Sequence, residues 1–322
     1  VDSRRERVIA RFAWNSYRMT PITHVAGRRL ALSNLEKVLY PGDGFTKGEV
    51  LHHYAGIAEV MLPHLRDRPV SFLRYPDGPS GQRFFSKNPP PGTPEWVRVA
   101  RVERSDGAGE QVVIDDLPSL MWAANLVTEF HTPQWRLDAQ GRADRLVLDL
   151  DPGEPATIVE CGVVARWLRD RLAADGLTAY VKTSGSKGLH LLAPLVPAPS
   201  SEVTAYAKRL AVEAERELPD LALHRMTKKL RAGKVFVDFS QNAAAKTTAT
   251  PYTLRARDYP TVSAPLTWAE VEHCEAPEDL VVLAQDIPSR LKQHGELLAP
   301  LVTGEGAGEL PRGGAGGAGE AP

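Results

Sequence analysis

The chain has 322 residues, 43% hydrophobic and 25% charged, with a formal net charge of −1, the ordinary make-up of a globular protein of one large or two small domains. No apolar run is long enough to span a bilayer, and the N-terminal VDSRRERVIARFAWNSYRM lacks the apolar stretch of a signal peptide. Cys161 and Cys274 stand far apart outside any CxxC pattern, which argues against a disulfide scaffold and a cysteine-rich zinc site and fits a reducing cytoplasm. The small net charge hides local contrast: HRMTKKLRAGK (His224–Lys234) is strongly basic and TWAEVEHCEAPEDL (Thr267–Leu280) acidic.

In chain order, Ser3–Met19 reads as a short charged helix in an N-terminal extension, residues 1–22. LSNLEKVLYPGDGFTKGEVLHHYAGIAEVMLPHL predicts a capped helical turn, a Pro-Gly break and a helix from about Lys47, with His52, His53 and His64 on its surface. PVSFLRYPDG and RFFSKN are strand-like, and MWAANLVTEFHTPQW is an apolar helix leading into a strand or turn. RLVLDLDP is a nearly continuous apolar strand, and CGVVARWLRDRLAADG an amphipathic helix ending at Gly176. TAYVKTSGSKGLHLLAPL gives two strands joined by a Gly-rich turn. A polar helix (Glu202–Leu218), the basic stretch, the strand KVFVDFS and a Pro-bounded region follow. Strands and helices interleave without a clean βαβ rhythm, which predicts a mixed-sheet α/β protein over residues 23–302. From Thr303 the tail TGEGAGELPRGGAGGAGEAP predicts a flexible linker or free end.

Chemistry concentrates in two places. Alternate strand residues point the same way, so Asp149 and Asp151 in LVLDLDP aim at one point. Two crowded carboxylates repel and need a cation, whether Arg, Lys or metal. Asp238, ending the strand KVFVD, is a third carboxylate. Such a trio can hold two divalent ions about 3.5–4 Å apart, and hard oxygen ligands favour Mg²⁺ or Mn²⁺. Alternatively they cap turns, as Asp-Pro at Asp151 often does. In TSGSKGLH a Gly-flanked turn lets backbone N–H groups converge on a phosphate, with Ser184 and Lys187 as donors and His190 on the emerging strand. The order GxxxxGK[ST] is missing, so this is no Walker A loop. Carboxylates for cations beside donors for phosphates describe a nucleoside triphosphate site.

LVLDLDP, KTSGSKGLHL and VFVDFSQNAAAKTTATPYTLRAR resemble the three motifs of the archaeo-eukaryotic primase superfamily. The likeness is closer still to the polymerase module of bacterial ligase D, the repair polymerase of non-homologous end joining. It extends over about Arg29–Leu298, with EKVLYPGDGFTKGE, FFSKN and EFHTPQW also similar. The resemblance implies a primase-like catalytic core of mixed β-sheets flanked by helices. It implies catalytic metals on Asp149, Asp151 and Asp238, and nucleotide contacts from Ser184, Lys187, His190, Arg255 and His131. Lys37 and Lys47 match a pocket for the 5′-phosphate of a downstream strand, Phe84 and Phe85 match aromatics packing on template bases, and Arg231 lies in a mobile basic loop. On residues alone His131 could equally be a core histidine, Lys37 a solvated charge, and one of the two phenylalanines buried. The implied activity is template-directed addition of nucleotides, ribonucleotides by preference, to 3′ ends at DNA breaks and gaps. Implied partners are DNA with a 5′-phosphate, nucleoside triphosphates, Ku and a fused or separate ligase, in the bacterial cytoplasm, nucleoid-associated, with no membrane. No KxDG ligase signature appears. Rival readings are a two-metal nuclease or phosphohydrolase using the same aspartates, and a DNA-end-binding module without activity.

Overall fold

The computed structural model describes residues 22–104, 107–126 and 128–311. A hairpin, β1 (Ile22–Val25) and β2 (Arg28–Ala31), precedes the short ladder β3 (Val38–Tyr40) and β4 (Phe45–Thr46) and helix α1 (Lys47–Leu65). β5 (Pro69–Arg74), β6 (Phe84–Ser86), β7 (Val99–Val102), β8 (Gly109–Val113), α2 (Leu117–Ala124) and β9 (Thr128–Thr132) follow. Next come β10 (Arg142–Pro152), α3 (Ile158–Ala174), β11 (Tyr180–Thr183), β12 (Leu189–Pro199), α4 (Ser200–Glu217), β13 (Ala222–Leu223) and β14 (Val235–Asp238). The last are β15 (Thr248–Ala249), β16 (Pro265–Leu266), α5 (Trp268–Glu272), α6 (Ile287–His294) and α7 (Pro300–Thr303).

Helix starts follow local chemistry. Thr46 Oγ1 accepts from the Glu49 N–H (3.3 Å) while the Glu49 carboxylate accepts from the Thr46 N–H (2.7 Å), closing the first turn of α1. Thr157 and Glu160 open α3 in the same way. Two sheets result. Sheet A runs β13-β14-β10-β12-β11-β16 and is mixed, with only β13–β14 parallel. Sheet B runs β15-β9-β5-β8-β7, with β6 added to β5, and is antiparallel. This is the expected mixed α/β architecture.

The alternation within β10 decides what each face of sheet A does. Leu146, Leu148 and Leu150 are buried in one apolar core with Cys161, Val164 and Leu168 of α3 and Val203 and Ala207 of α4. Each buried leucine contributes roughly 1.5–3 kcal/mol. Arg145, Val147, Asp149 and Asp151 therefore take the other face. Sheet B likewise buries one face under helices, with Tyr54 of α1 against Phe130 (5.2 Å) and Trp122 of α2 against Phe72 (6.2 Å).

Four expectations are corrected. His53 and His64 face inward, 7% and 1% exposed, because α1 is enclosed on more than one side. The residues before α1 form a turn closed by Lys37 N–H on Asn34 O (3.0 Å) and then strand β3. Ile22 already belongs to β1. The tail is placed as far as Pro311: Val196 N–H donates to Gly308 O (2.9 Å), and Leu310 packs on the core. Ser3–Met19 and residues 312–322 lie outside the described residues.

The start of β12 sits so close to β10 that a Cβ on Gly188 would stand 1.9 Å from Leu150 O. Its φ lies outside the left-handed region, so the demand is for space alone. Gly188→Ala should cost about 3 kcal/mol as overpacking against an immovable backbone and lower the Tm by several degrees in thermal denaturation; an unchanged Tm would contradict this packing.

Candidate active site

Register builds the site. Asp149 lies opposite Asp238 on one side and His190 on the other, and His190 lies opposite Lys182. Opposed residues share a face, so Asp238, Asp149, His190 and Lys182 form one row across β14, β10, β12 and β11. Asp151 stands one step further along β10, opposite Phe236 and open to solvent. The structure thus brings all three aspartates together with His190.

Burial of Asp149, the crowding of the Asp151 carboxyl by its surroundings although that residue is exposed overall, and the mutual repulsion of the aspartates hold both carboxyls above the ordinary carboxylate range. Among the described residues none of the three aspartates is ion-paired with Lys or Arg; Asp149 Oδ1 faces His190 Nε2 at 3.3 Å. Burial, then the charges of Lys182 and Arg255, push the imidazole well below its usual range. Its buried Nδ1 has no hydrogen-bond partner among the described residues.

A metal is the counter-charge this trio suits: hard oxygens, partly dehydrated, with no fixed cation between them. Among the described residues no group of three or more His, Cys, Asp or Glu stands ready to hold an ion as the side chains lie. Gln241 Nε2 donates to Asp238 Oδ2 (3.1 Å) and reaches Asp149 Oδ2 (3.5 Å). The chemistry of the donor set, three carboxylates with hard oxygens, fits a divalent ion.

The Gly-rich turn differs from the expected open cradle. Ser184 Oγ accepts from the N–H groups of Ser186 and Gly188 (both 3.2 Å), and Thr183 Oγ1 from Gly185 N–H (2.8 Å), so these amides are spent inside the turn. The Ser184 hydroxyl proton remains to donate outward. Gly185 has φ +68° and packs against Arg255, where a Cβ would stand 2.6 Å from its Cγ. Lys187 is exposed and paired with Glu154 (2.8 Å).

Sheet B closes the site. Glu129 and His131 alternate with Phe130 on β9 and so face away from the helices. Arg255 joins the sheets, its Nε on Glu129 (2.9 Å) and its Nη1 on the Ser184 carbonyl. Burial works to raise the Glu129 carboxyl, but hydrogen bonding from His131 and the charge of Arg255 outweigh it and bring it down to about 2. Lys182 is fully buried, donates to Ser263 Oγ, and has its ammonium pulled well below its usual range by burial and by Arg255. Glu129, Lys182 and Gln241 were not singled out in the sequence reading. Only the period-two spacing of Glu129 with His131 could have signalled one of them.

Lys37 and Lys47 meet in a second pocket of about 200 Å³ that Asn34, Arg74 and Asn125 also line. Lys47 is buried, and burial with the repulsion of Lys37 pulls it down to about 8. Lys37 rests on Pro76 O (2.8 Å) and Asp77 (2.6 Å). Phe84 and Phe85 are both exposed, 44% and 57%, because β6 is a short edge strand. Phe85 shares a sheet face with Glu129, and Phe84 shares one with Arg74 of the lysine pocket. Arg231, in the basic stretch, stacks on Phe236 (3.8 Å), donates to Met226 O (3.1 Å), and bears on Asp151.

The fold is that of the primase-polymerase class of nucleotidyltransferases. Residues 46–298 match the LigD primase-polymerase domain, and the chain belongs to that family. It is 43% identical over 277 residues to the multifunctional non-homologous end joining protein LigD of Mycolicibacterium smegmatis, covering 85% of this chain and 36% of that protein. It is 30% identical over 270 residues to the bifunctional LigD of Bacillus subtilis, covering 83% and 43%. The chain thus spans well under half of these curated relatives. The polymerase domain of Mycobacterium tuberculosis ligase D, solved in complex with DNA, superposes with a TM-score of 0.81 at 44% identity, covering 85% of this chain and 98% of that one. Among the described residues no helix is long and apolar enough to cross a membrane.

The depressed carboxyl of Glu129 makes a pH prediction. Its stabilisation is present above the unfolded value near 4.5 and lost as pH falls toward 2, an amplitude of about 3 kcal/mol. The Tm gap between wild type and Glu129→Gln, followed by circular dichroism, should therefore narrow from pH 5 to pH 2; a constant gap would contradict the ion pairing.

Proposed function

We propose that the chain adds nucleotides to 3′-hydroxyl ends at DNA breaks and short gaps, directed by a template, as part of non-homologous end joining. The row of Asp238, Asp149 and His190 beside the Ser184–Gly188 turn, with Asp151 one step further along β10, carries the reading, because it sets three carboxylates that among the described residues have no Lys or Arg salt bridge next to groups suited to a triphosphate. Asp149, Asp151 and Asp238 would hold two Mg²⁺ or Mn²⁺ ions. Bound there, the ions supply activation of the 3′-hydroxyl and neutralisation of the leaving pyrophosphate. Ser184 donates its free hydroxyl proton, Lys187 exchanges an exposed pair with Glu154 for a phosphate, and Arg255 presents its remaining N–H edge. His190 offers its buried Nδ1 and His131 lies across the cleft.

Lys37 and Lys47, two cations sharing one pocket, suit a doubly charged 5′-phosphate that relieves their repulsion. Exposed Phe84 and Phe85 offer stacking faces to bases. Arg231 would leave Phe236 to meet the template. Preference for ribonucleotides, cooperation with Ku, sealing by a fused or separate ligase, and a place in the bacterial cytoplasm at the nucleoid belong to the same reading.

Primer extension on a gapped duplex with Mn²⁺, comparing ribo- with deoxyribonucleotides, tests it: lengthened primers are expected, and shortened ones would favour a nuclease. Asp149→Ala, Asp151→Ala and Asp238→Ala should each abolish extension while gapped-DNA affinity stays near wild type; extension at near wild-type rate removes that residue from the metal site. Lys37→Ala combined with Lys47→Ala should erase the binding preference for a 5′-phosphorylated gap, each contact being worth roughly 1.5–3 kcal/mol, and flatten the salt dependence. Titrations at several salt concentrations check this, and a double mutant that keeps the full preference places the pocket elsewhere.

A further inference from the structure

We infer that Glu129 is a positioning residue for the incoming nucleotide, a carboxylate that touches no substrate and holds Arg255 and His131 in the geometry that does. The inference rests on the reading of Arg255 and His131 as nucleotide contacts. The Glu129 side chain is 5% exposed and has no open side of its own. Its Oε2 accepts from His131 Nε2 (3.1 Å) and from Arg255 Nε (2.9 Å), and its Oε1 accepts from the Ala256 N–H (2.8 Å). One carboxylate thereby fixes an imidazole, a guanidinium and the main chain that carries the guanidinium.

Arginine has many rotamers, and its planar fork is useful only when that freedom is removed. Here Glu129 takes Nε and the Ser184 carbonyl takes Nη1, so the guanidinium plane is set at two points across the two sheets. Among the described residues Nη2 has no hydrogen-bond partner, and Arg255 is 17% exposed, so the spare edge opens to the cleft. His131 is pinned similarly. A proton on Nε2 toward the carboxylate leaves Nδ1 as acceptor on a ring 15% exposed. Sheet geometry makes this possible, since Glu129 and His131 share a face of β9 while Arg255 follows β15, the next strand.

A glutamine cannot replace the carboxylate. Its single oxygen serves either Ala256 or the His131–Arg255 pair, and its NH₂ must then face an N–H donor. The test is a nucleotide titration in primer extension at saturating gapped DNA for wild type, Glu129→Gln, Arg255→Ala and the double variant. Glu129→Gln should raise the KM for nucleotide roughly tenfold or more with kcat within about threefold, because loss of folded enzyme lowers kcat and leaves KM in place. The double variant should be no worse than Arg255→Ala by more than about threefold, as expected of residues acting as a unit. A KM unchanged within about twofold, or effects that multiply fully, would overturn the proposal. Should Glu129→Gln not fold, Glu129→Asp, which keeps the charge but is too short to reach both partners, must give the same rise in KM; an unchanged KM again overturns it. If Arg255→Ala and His131→Ala themselves leave KM unchanged, the nucleotide-contact reading fails and takes the proposal with it. If they raise KM while Glu129→Gln does not, the proposal alone fails.

Discussion

Asp149 confronts Asp238 across two antiparallel strands, and the rest of the cleft answers that confrontation. Charges at the roughly 5 Å spacing of opposed strand residues repel by about 3 kcal/mol at an effective dielectric near 20. Asp151 adds a third charge one step along the same strand face. Among the described residues no Lys or Arg forms a salt bridge with them. The cations that bear on them, Lys182, Arg255 and Arg231, do so without a salt bridge and are engaged elsewhere, with Ser263, Glu129 and the Phe236 ring. Cations taken up there would relieve that repulsion.

The two sheets divide the labour. Sheet A carries the carboxylates and the Gly-rich turn, held rigid because Leu146, Leu148 and Leu150 anchor the opposite face of the same strand beneath α3 and α4. Sheet B brings Glu129 and His131, the residues flanking Phe130, whose own ring is locked against Tyr54, and Glu129 in turn holds Arg255. The groups expected to meet charged ligands directly are held loosely by comparison. Lys187 rests on Glu154 and Lys37 on Asp77, exposed pairs of the kind worth about 0–1 kcal/mol, which a phosphate would displace at little cost.

Much of this was legible in the chain. The alternation in LVLDLDP, the paired strands around TSGSKG, and the long helices α1, α3 and α4 all show in local periodicity or turn chemistry, and they are where they were expected within a few residues. The two-residue strands β4, β13, β15 and β16 were not, since two residues carry no period. His53 and His64 were misplaced because periodicity marks one apolar face and cannot show that a helix is enclosed on more than one. Position on a strand showed that Asp149 and Asp151 share a face, but that Asp238 stands opposite Asp149 is a matter of register. Glu129 and Lys182 eluded the sequence for the same reason: each matters through partners more than 70 residues away, Arg255 and Ser263. The Ser184 turn was recognised as a turn, while the inward use of its amides depends on hydroxyl rotamers.

The most direct test counts cations. Mn²⁺ binding should be titrated by electron paramagnetic resonance in wild type, Asp149→Asn and Asp238→Asn, each with gapped DNA and a non-hydrolysable nucleoside triphosphate. Two ions bound tightly in wild type, with at least one lost in each variant, is the predicted result. Equal Mn²⁺ binding by all three proteins would mean that the confronted carboxylates are not a metal site, and the account built on them would fail.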